Sequence, residues 1–306
     1  LIIAMALICK SVAMFAAEFP QLNKIPSQRP IQPFDNAINP AVTVSADRLY
    51  SPHAILVSVN DHTVLLQKSS ETRIYPASLT KMMTTLVAIE NLPNLQKEIK
   101  ISDSVFQELY NTDATMAGFQ PGEKVSAIDL LYGVMLPSGA ECCIVLADHI
   151  SGSEAGFVEL MNQKAADLGM SMTHYSNATG LHDKNHYTTV RDLSVLLKYA
   201  LQNDTFKRIF CTSRYTTKPT RQHPDGITFH STMFEKVNTS GTACSINEGR
   251  LLGGKTGYTE EAGLCLASYA VKGGKEYILI TAGAKGNHKT EQYNIKDAFM
   301  VYNSIR

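Results

Sequence analysis

Neither sign of charge predominates in this sequence: 28 Lys and Arg residues are matched by 28 Asp and Glu, so the formal net charge is zero. The basic footprint of a nucleic-acid binder is missing, and no nucleic-acid partner is expected. Internal repeats are missing as well, which excludes a solenoid or array. At 44% hydrophobic and 18% charged, the 306 residues are too apolar for a disordered chain and leave room for one large domain or two small ones. The six cysteines are few and scattered, unlike the framework of a disulfide-stapled mini-protein. No apolar run is long enough for a clean bilayer span; the nearest, Leu1 to Ala17, is interrupted by Lys10 and Ser11.

That first run has small residues at Ala13, Ala16 and Ala17, and residues 1–19 are read as a signal peptide or N-terminal membrane segment. Pro20, Pro26, Pro30, Pro33 and Pro40 then punctuate a polar stretch without apolar period, so residues 20–45 are expected to be an extended linker. The folded domain is expected over residues 46–306. Cys9 follows Ile8, a side chain too large for a lipid-attachment site. Cys142, Cys143 and Cys265 stand in apolar patterns and read as small core residues. Cys211 with Cys244 is the one pair that reads as a disulfide.

Two short β-rich runs, Ala54 to Val59 and Thr63 to Gln67, flank Asn60, Asp61 and His62 and predict a hairpin. Ser78 to Glu90 is apolar on nearly all sides and ends before Pro93, as a buried helix would. Helical spacing recurs over Ala127–Met135, Ala140–Ile150, Glu154–Leu168 and Val190–Leu201, with Gly169 as a stop. Strands are predicted again at Gly263–Val271 and Glu276–Ala282 around Lys272-Gly273-Gly274, then a helix over Thr290–Asn303. This order predicts an α/β fold of the α+β type: an antiparallel sheet built from both ends of the chain, flanked by helices, with a helical insertion between.

Ser78-Leu79-Thr80-Lys81 sets a hydroxyl and an amine one helical turn apart on one face of a buried helix. A serine hydroxyl is a poor nucleophile until a base takes its proton, and a lysine can do so only when burial or a second cation lowers its pKa. Alone, such a tetrad is more often a capping serine beside a surface lysine. Ser138-Gly139 opens another predicted helix, and Gly253-Gly254-Lys255-Thr256-Gly257-Tyr258 leads into an apolar strand. Each has its own structural reading, as a helix cap and as a glycine turn. The three together, in this order and roughly 60 and roughly 115 residues apart, point to acyl transfer by a serine nucleophile.

Over about Tyr50 to Ala284 the sequence resembles the serine D-alanyl-D-alanine carboxypeptidases, the low-molecular-mass penicillin-binding proteins of peptidase family S11. The resemblance rests on Tyr75-Pro76-Ala77-Ser78-Leu79-Thr80-Lys81-Met82, Gln120-Pro121-Gly122-Glu123, Asp129-Leu130-Leu131-Tyr132-Gly133, Gly180-Leu181-His182-Asp183 with His186-Tyr187-Thr188-Thr189, and Lys255-Thr256-Gly257-Tyr258-Thr259. It implies a DD-peptidase/β-lactamase-like fold over 46–306, an extracytoplasmic location, and peptidoglycan stem peptides and β-lactams as partners. It makes Ser78 the acylated nucleophile, Lys81 its base and Ser138 a proton relay. Lys255 and Thr256 would hold the substrate carboxylate, and the N–H groups of Ser78 and Tyr258 would form the oxyanion hole, with Gly257 allowing close approach. No cofactor and no metal are implied.

Two features depart from the pattern. The family's second motif is usually Ser-x-Asn, and here its third position is Ala140, followed by Glu141. Little chain follows the catalytic domain, so any membrane tether is expected at the N-terminus. Other readings remain open: a DD-endopeptidase, a weakly active penicillin-binding pseudoenzyme, a class A β-lactamase lacking an evident glutamate-bearing loop, and a zinc pair of His182 with His186 in a stretch that reads as loop. The segment from Tyr215 to Phe234 reads either as a border of the groove or as a solvated loop.

Overall fold

The computed structural model describes residues 42–239 and 243–306; the expected leader over 1–19 and most of the expected linker lie outside the described residues. Val42 already bridges Ile305 antiparallel, so the folded body begins four residues ahead of Ala46.

The predicted first hairpin is β1 (His53–Ser58) and β2 (Thr63–Lys68). A 3-10 turn at Ala77–Thr80 leads into α1 (Lys81–Asn91). Next come β3 (Glu98–Lys100), α2 (Asp103–Leu109), β4 (Lys124–Ser126), α3 (Ala127–Met135), α4 (Ala140–Ser151), α5 (Glu154–Asp167), α6 (Val190–Ala200) and α7 (Asp204–Phe210). The chain then forms the small pair β5 (Arg214–Thr216) and β6 (Thr228–His230), followed by α8 (Thr232–Thr239), and β7 (Ser245–Ile246). It ends with β8 (Gly249–Thr259), β9 (Gly263–Lys272), β10 (Lys275–Ala284) and α9 (Tyr293–Ser304).

The main sheet has the order β2-β1-β10-β9-β8-β7. The first hairpin therefore lies beside the last strand, with His53 opposite Ala282, and the sheet is built from both ends of the chain as expected. The tight β9–β10 turn follows from Gly273 and Gly274, both at positive φ, the conformation a two-residue hairpin requires.

Side chains alternate across each strand, so one face of the sheet buries Ile55, Ala267, Tyr269 and Ile278 against the helical layer. The other buries Leu56, Leu266, Ala270 and Leu279 against α8 and α9. Covering on both faces explains the nearly continuous apolar runs of β1, β9 and β10. Helix α1 runs through the middle of the helical layer, packed against α3, α4, α5 and α6, and every residue from Lys81 to Ile89 is buried. That is why its sequence shows no polar face.

Candidate active site

Ser78 lies in the 3-10 turn, where residues three apart nearly eclipse. Its side chain makes no capping hydrogen bond, so the structural reading of this serine as a helix cap is removed. The preceding Ala77 holds φ +46°, a left-handed conformation that costs a non-glycine residue about 1 kcal/mol or more. The result is a half-buried Ser78 facing the cleft with Lys81 directly behind it: Lys81 Nζ is 3.3 Å from Ser78 Oγ and donates to the Thr179 carbonyl at 2.5 Å. Burial holds the Lys81 ammonium below the ordinary lysine range.

The segment around Thr179 approaches this closely because of Gly180, at φ +83°: a Cβ there would stand 2.0 Å from the Ala77 carbonyl oxygen. His186 fixes the same turn from below. Its Nδ1 accepts from the Ser176 N–H at 3.1 Å, which leaves the proton on Nε2 to donate to Thr80 Oγ1 at 2.7 Å. Burial holds its pKa down to about 4, so the ring is neutral at pH 7. His182 has other partners, edge-on to Tyr75 and 3.6 Å from Glu261, so the two histidines do not converge as a zinc pair would.

Ser138 sits at φ +71° in the turn between α3 and α4; the N-cap of α4 is Gly139, so Ser138 is not a cap either. Its Oγ accepts from Lys255 Nζ at 2.9 Å. The Lys255 motif lies within β8, a strand beginning at Gly249, and not in a glycine turn ahead of one. Lys255 and Gly257 share the strand face turned toward the helices. There the fully buried Lys255 also donates to the Thr256 carbonyl, at 2.9 Å. Burial, reinforced by the charge of Lys81, depresses its pKa well below the usual value.

A Cβ at Gly257 would come within 3.1 Å of the Ser78 nitrogen and 3.2 Å of the Pro76 oxygen. Glycine therefore lets β8 lie against the serine turn. Thr256 faces the cleft with its Oγ1 2.7 Å from Thr232 Oγ1.

Ser78, Lys81, Ser138, Thr256 and Gly257 line one cleft of about 720 Å³, whose walls include Thr112 to Thr115, Thr179 to His182, and Thr256 to Glu261, while Lys255 lies buried behind Ser138. Ala140 lines it too, so a methyl group stands where the resemblance puts an amide. Glu141 turns away, accepting from the Ala117 and Gly118 N–H groups at 2.6 and 2.9 Å. The arrangement offers an activatable hydroxyl, a buried amine as base, and a second hydroxyl bonded to a second amine, which suits acyl transfer through a covalent intermediate.

Sequence reasoning missed Thr179 and Thr232. Of the segment from Tyr215 to Phe234, Thr232 lines the cleft, while Tyr215 donates to Asp129 and His223 contacts Glu123. The expected Cys211–Cys244 disulfide is absent: both thiols are free. Cys142, Cys143 and Cys265 are buried as expected, and burial raises the Cys143 and Cys265 thiols to about 12.

Among known proteins, residues 40–286 match the family model of peptidase family S11, D-alanyl-D-alanine carboxypeptidase. The chain is 34% identical over 242 residues to the D-alanyl-D-alanine carboxypeptidase DacF of Bacillus subtilis (strain 168), covering 76% of this chain and 57% of that relative. It is 33% identical over 247 residues to the D-alanyl-D-alanine carboxypeptidase of Streptomyces sp. (strain K15), covering 78% and 82%. The crystal structure of the Streptomyces K15 DD-transpeptidase superposes with a TM-score of 0.74 at 27% identity, covering 85% of this chain and 98% of that one. The chain thus spans little more than half the length of DacF.

Proposed function

The chain belongs to the D-alanyl-D-alanine carboxypeptidases of peptidase family S11, and from that premise we propose that it removes the terminal D-Ala from peptidoglycan stem pentapeptides through an acyl-enzyme on Ser78. The observation that carries this reading is the pairing of two buried amines with two hydroxyls, Lys81 with Ser78 and Lys255 with Ser138.

In the proposed reaction, neutral Lys81 takes the Ser78 proton as Oγ attacks the carbonyl of the penultimate D-Ala. The N–H groups of Ser78 and Tyr258 stabilise the oxyanion that forms, which the close approach at Gly257 supports. The proton taken by Lys81 is relayed through Ser138 to the leaving amide nitrogen, the C–N bond breaks, and D-alanine departs, leaving Lys81 neutral again. The D-alanine carboxylate is received by the Thr256 hydroxyl, with Thr232 beside it. Water then attacks the ester and restores Ser78. No metal or cofactor enters the scheme.

β-Lactams, which offer a strained amide to the same nucleophile, are proposed as covalent inhibitors. The substrate lies outside the cytoplasmic membrane, and so, in this reading, does the enzyme, secreted or tethered by its N-terminal segment. Among the described residues no helix is long and apolar enough to cross a membrane.

The test is a mass spectrum after incubation with a β-lactam, with a peptide map of the adduct, beside chromatography of a pentapeptide digest. An adduct on Ser78 together with free D-alanine supports the reading; acylation at another residue overturns it. A second reading, a penicillin-binding protein of weak peptidase activity, is favoured by Ala140, and an adduct without release of D-alanine would select it.

A further inference from the structure

Glu141 has no part in the chemistry above, yet it is fully buried at the first turn of α4, three residues from Ser138. One carboxylate oxygen, Oε1, accepts both the Ala117 and Gly118 N–H groups, at 2.6 and 2.9 Å; the other, Oε2, has no hydrogen-bond partner. The chain it grips matters to the cleft. Residues 111–123 form neither helix nor strand, so Ala117 and Gly118 have no regular backbone ladder to satisfy their N–H groups, and Thr112 to Thr115 form one wall of the cleft.

One further hydrogen bond joins the same pieces, and a glycine lets them approach closely. The Ala140 N–H donates to the Thr115 carbonyl at 2.8 Å, and a Cβ at Gly139 would meet the Ala117 Cβ at 2.6 Å and Glu141 Oε2 at 3.0 Å. A buried carboxylate is costly to desolvate, and here burial raises its pKa, so its two short backbone bonds must offset that cost.

We propose that Glu141 is a positioning residue: it clasps the backbone at Ala117 and Gly118 to the turn that carries Ser138, and so holds the wall of Thr112 to Thr115 at a fixed distance from both serines. That wall is part of the cleft that the stem peptide would occupy. In this chain the clasp takes over orientation that a side chain at position 140 cannot give, because Ala140 has no hydrogen-bonding group. This inference rests on the peptidase reading of the cleft for its kinetic consequence, while its structural part stands on its own.

The experiment compares Glu141→Ala with Glu141→Gln, whose amide oxygen can still accept both N–H groups. Three quantities are measured: KM and kcat for a stem pentapeptide, the rate of Ser78 acylation by a small β-lactam, and amide hydrogen exchange over residues 115–119. Glu141→Ala is expected to raise KM about tenfold or more, to change β-lactam acylation less than threefold, and to speed exchange at Ala117 and Gly118. Glu141→Gln should stay within about threefold of the parent in all three.

If Glu141→Ala fails to fold, Ala117→Pro removes one clasped N–H from the other side and should give the same rise in KM. Parental exchange protection in the folded Ala variant, or a Gln variant as impaired in KM as the Ala variant, would overturn the clasp. Loss of the Ser78 adduct in the parent itself would instead count against the peptidase reading and leave the exchange result as the judge of the clasp.

Discussion

The Lys255 ammonium points at Ser138 Oγ, 2.9 Å away, and not into the open cleft that Thr256 lines. A buried cation bonded to the proposed relay hydroxyl acts on the reaction as a whole, whereas recognition of a free carboxylate falls first to the groups that face it. Replacing Lys255 by Met is therefore expected to slow Ser78 acylation by peptides with free and with amidated C-termini alike, by roughly ten- to a hundredfold, the range for one lost charge-assisted hydrogen bond. Thr256→Val should discriminate, losing more rate with the free peptide than with the amidated one. Kinetics on the two peptides measure both ratios; a Lys255 variant that harmed only the free peptide would return carboxylate recognition to the lysine.

The same substitution has a consequence for stability. Burial and the neighbouring charge of Lys81 hold Lys255 well below 10.5 in the folded state, while the unfolded chain keeps the ordinary value. As pH falls below about 10.5, the unfolded chain takes up a proton that the folded chain resists, so the parent loses stability until its folded pKa is reached. The Met variant has no such term. It is expected to lose activity yet match or exceed the parent in denaturant midpoint at pH 7, with an advantage that shrinks toward pH 10. Urea titrations at the two pH values check this, and a Met variant less stable by the same amount at both would contradict it.

His186 titrates in a more accessible window. With the folded ring held at about 4 and the unfolded one near 6.5, its neutral, Thr80-bonded form costs no stability above about pH 6.5 and costs progressively more as pH falls toward 4. The full difference is roughly 3 kcal/mol. His186→Gln can keep a donor for Thr80 and an acceptor for Ser176 without titrating. The stability gap between variant and parent is expected to move in favour of the variant by about that amount between pH 7 and pH 4, as followed by urea denaturation.

Much of this was legible beforehand, for identifiable reasons. Ser78 with Lys81, the α1 helix and the two hairpins are local, so spacing and periodicity report them. The β8 strand is not predicted from the sequence because its glycines look like a turn until the pairing with β9 is known. Thr179 was missed because its carbonyl reaches Lys81 only through the tertiary contact that Gly180 allows. The direction of the Lys255 side chain depends on which face of β8 meets the helices, and the separation of Cys211 from Cys244 depends on how distant elements pack. Neither is carried by composition or spacing.

Gly257 is a spacing element between the Ser78 turn and β8. In Gly257→Ala the new methyl group would meet the Ser78 nitrogen at 3.1 Å, the Pro76 oxygen at 3.2 Å and the Ala77 Cβ at 3.3 Å, two of them backbone atoms of the serine turn. Strand and turn must part by a few tenths of an ångström, which disturbs the proposed oxyanion donors more than the core. The expected result is a loss of about tenfold or more in kcat/KM with a small change in melting temperature. A variant with parental kinetics would show that the oxyanion is held elsewhere.

Ala140 poses the sharpest test, because a methyl group stands at the cleft where the resemblance expects a side-chain amide. An asparagine there would start from the first residue of α4, close to the cleft wall that includes Ser138 and Thr179. If its amide reaches the substrate backbone in the transition state, one neutral hydrogen bond is gained, worth about 0.5–1.5 kcal/mol or roughly a two- to tenfold rise in kcat/KM. The opposing term is desolvation. Ala140 is buried, and an amide that found no partner there would cost stability and slow turnover. The first outcome is expected, since Ala140 lies on the cleft lining, and it should be seen with pentapeptide more than with a small β-lactam. Unchanged or lower kcat/KM in a folded Ala140→Asn variant would mean that this enzyme orients its substrate by other contacts, with the wall held by Glu141 as the first candidate.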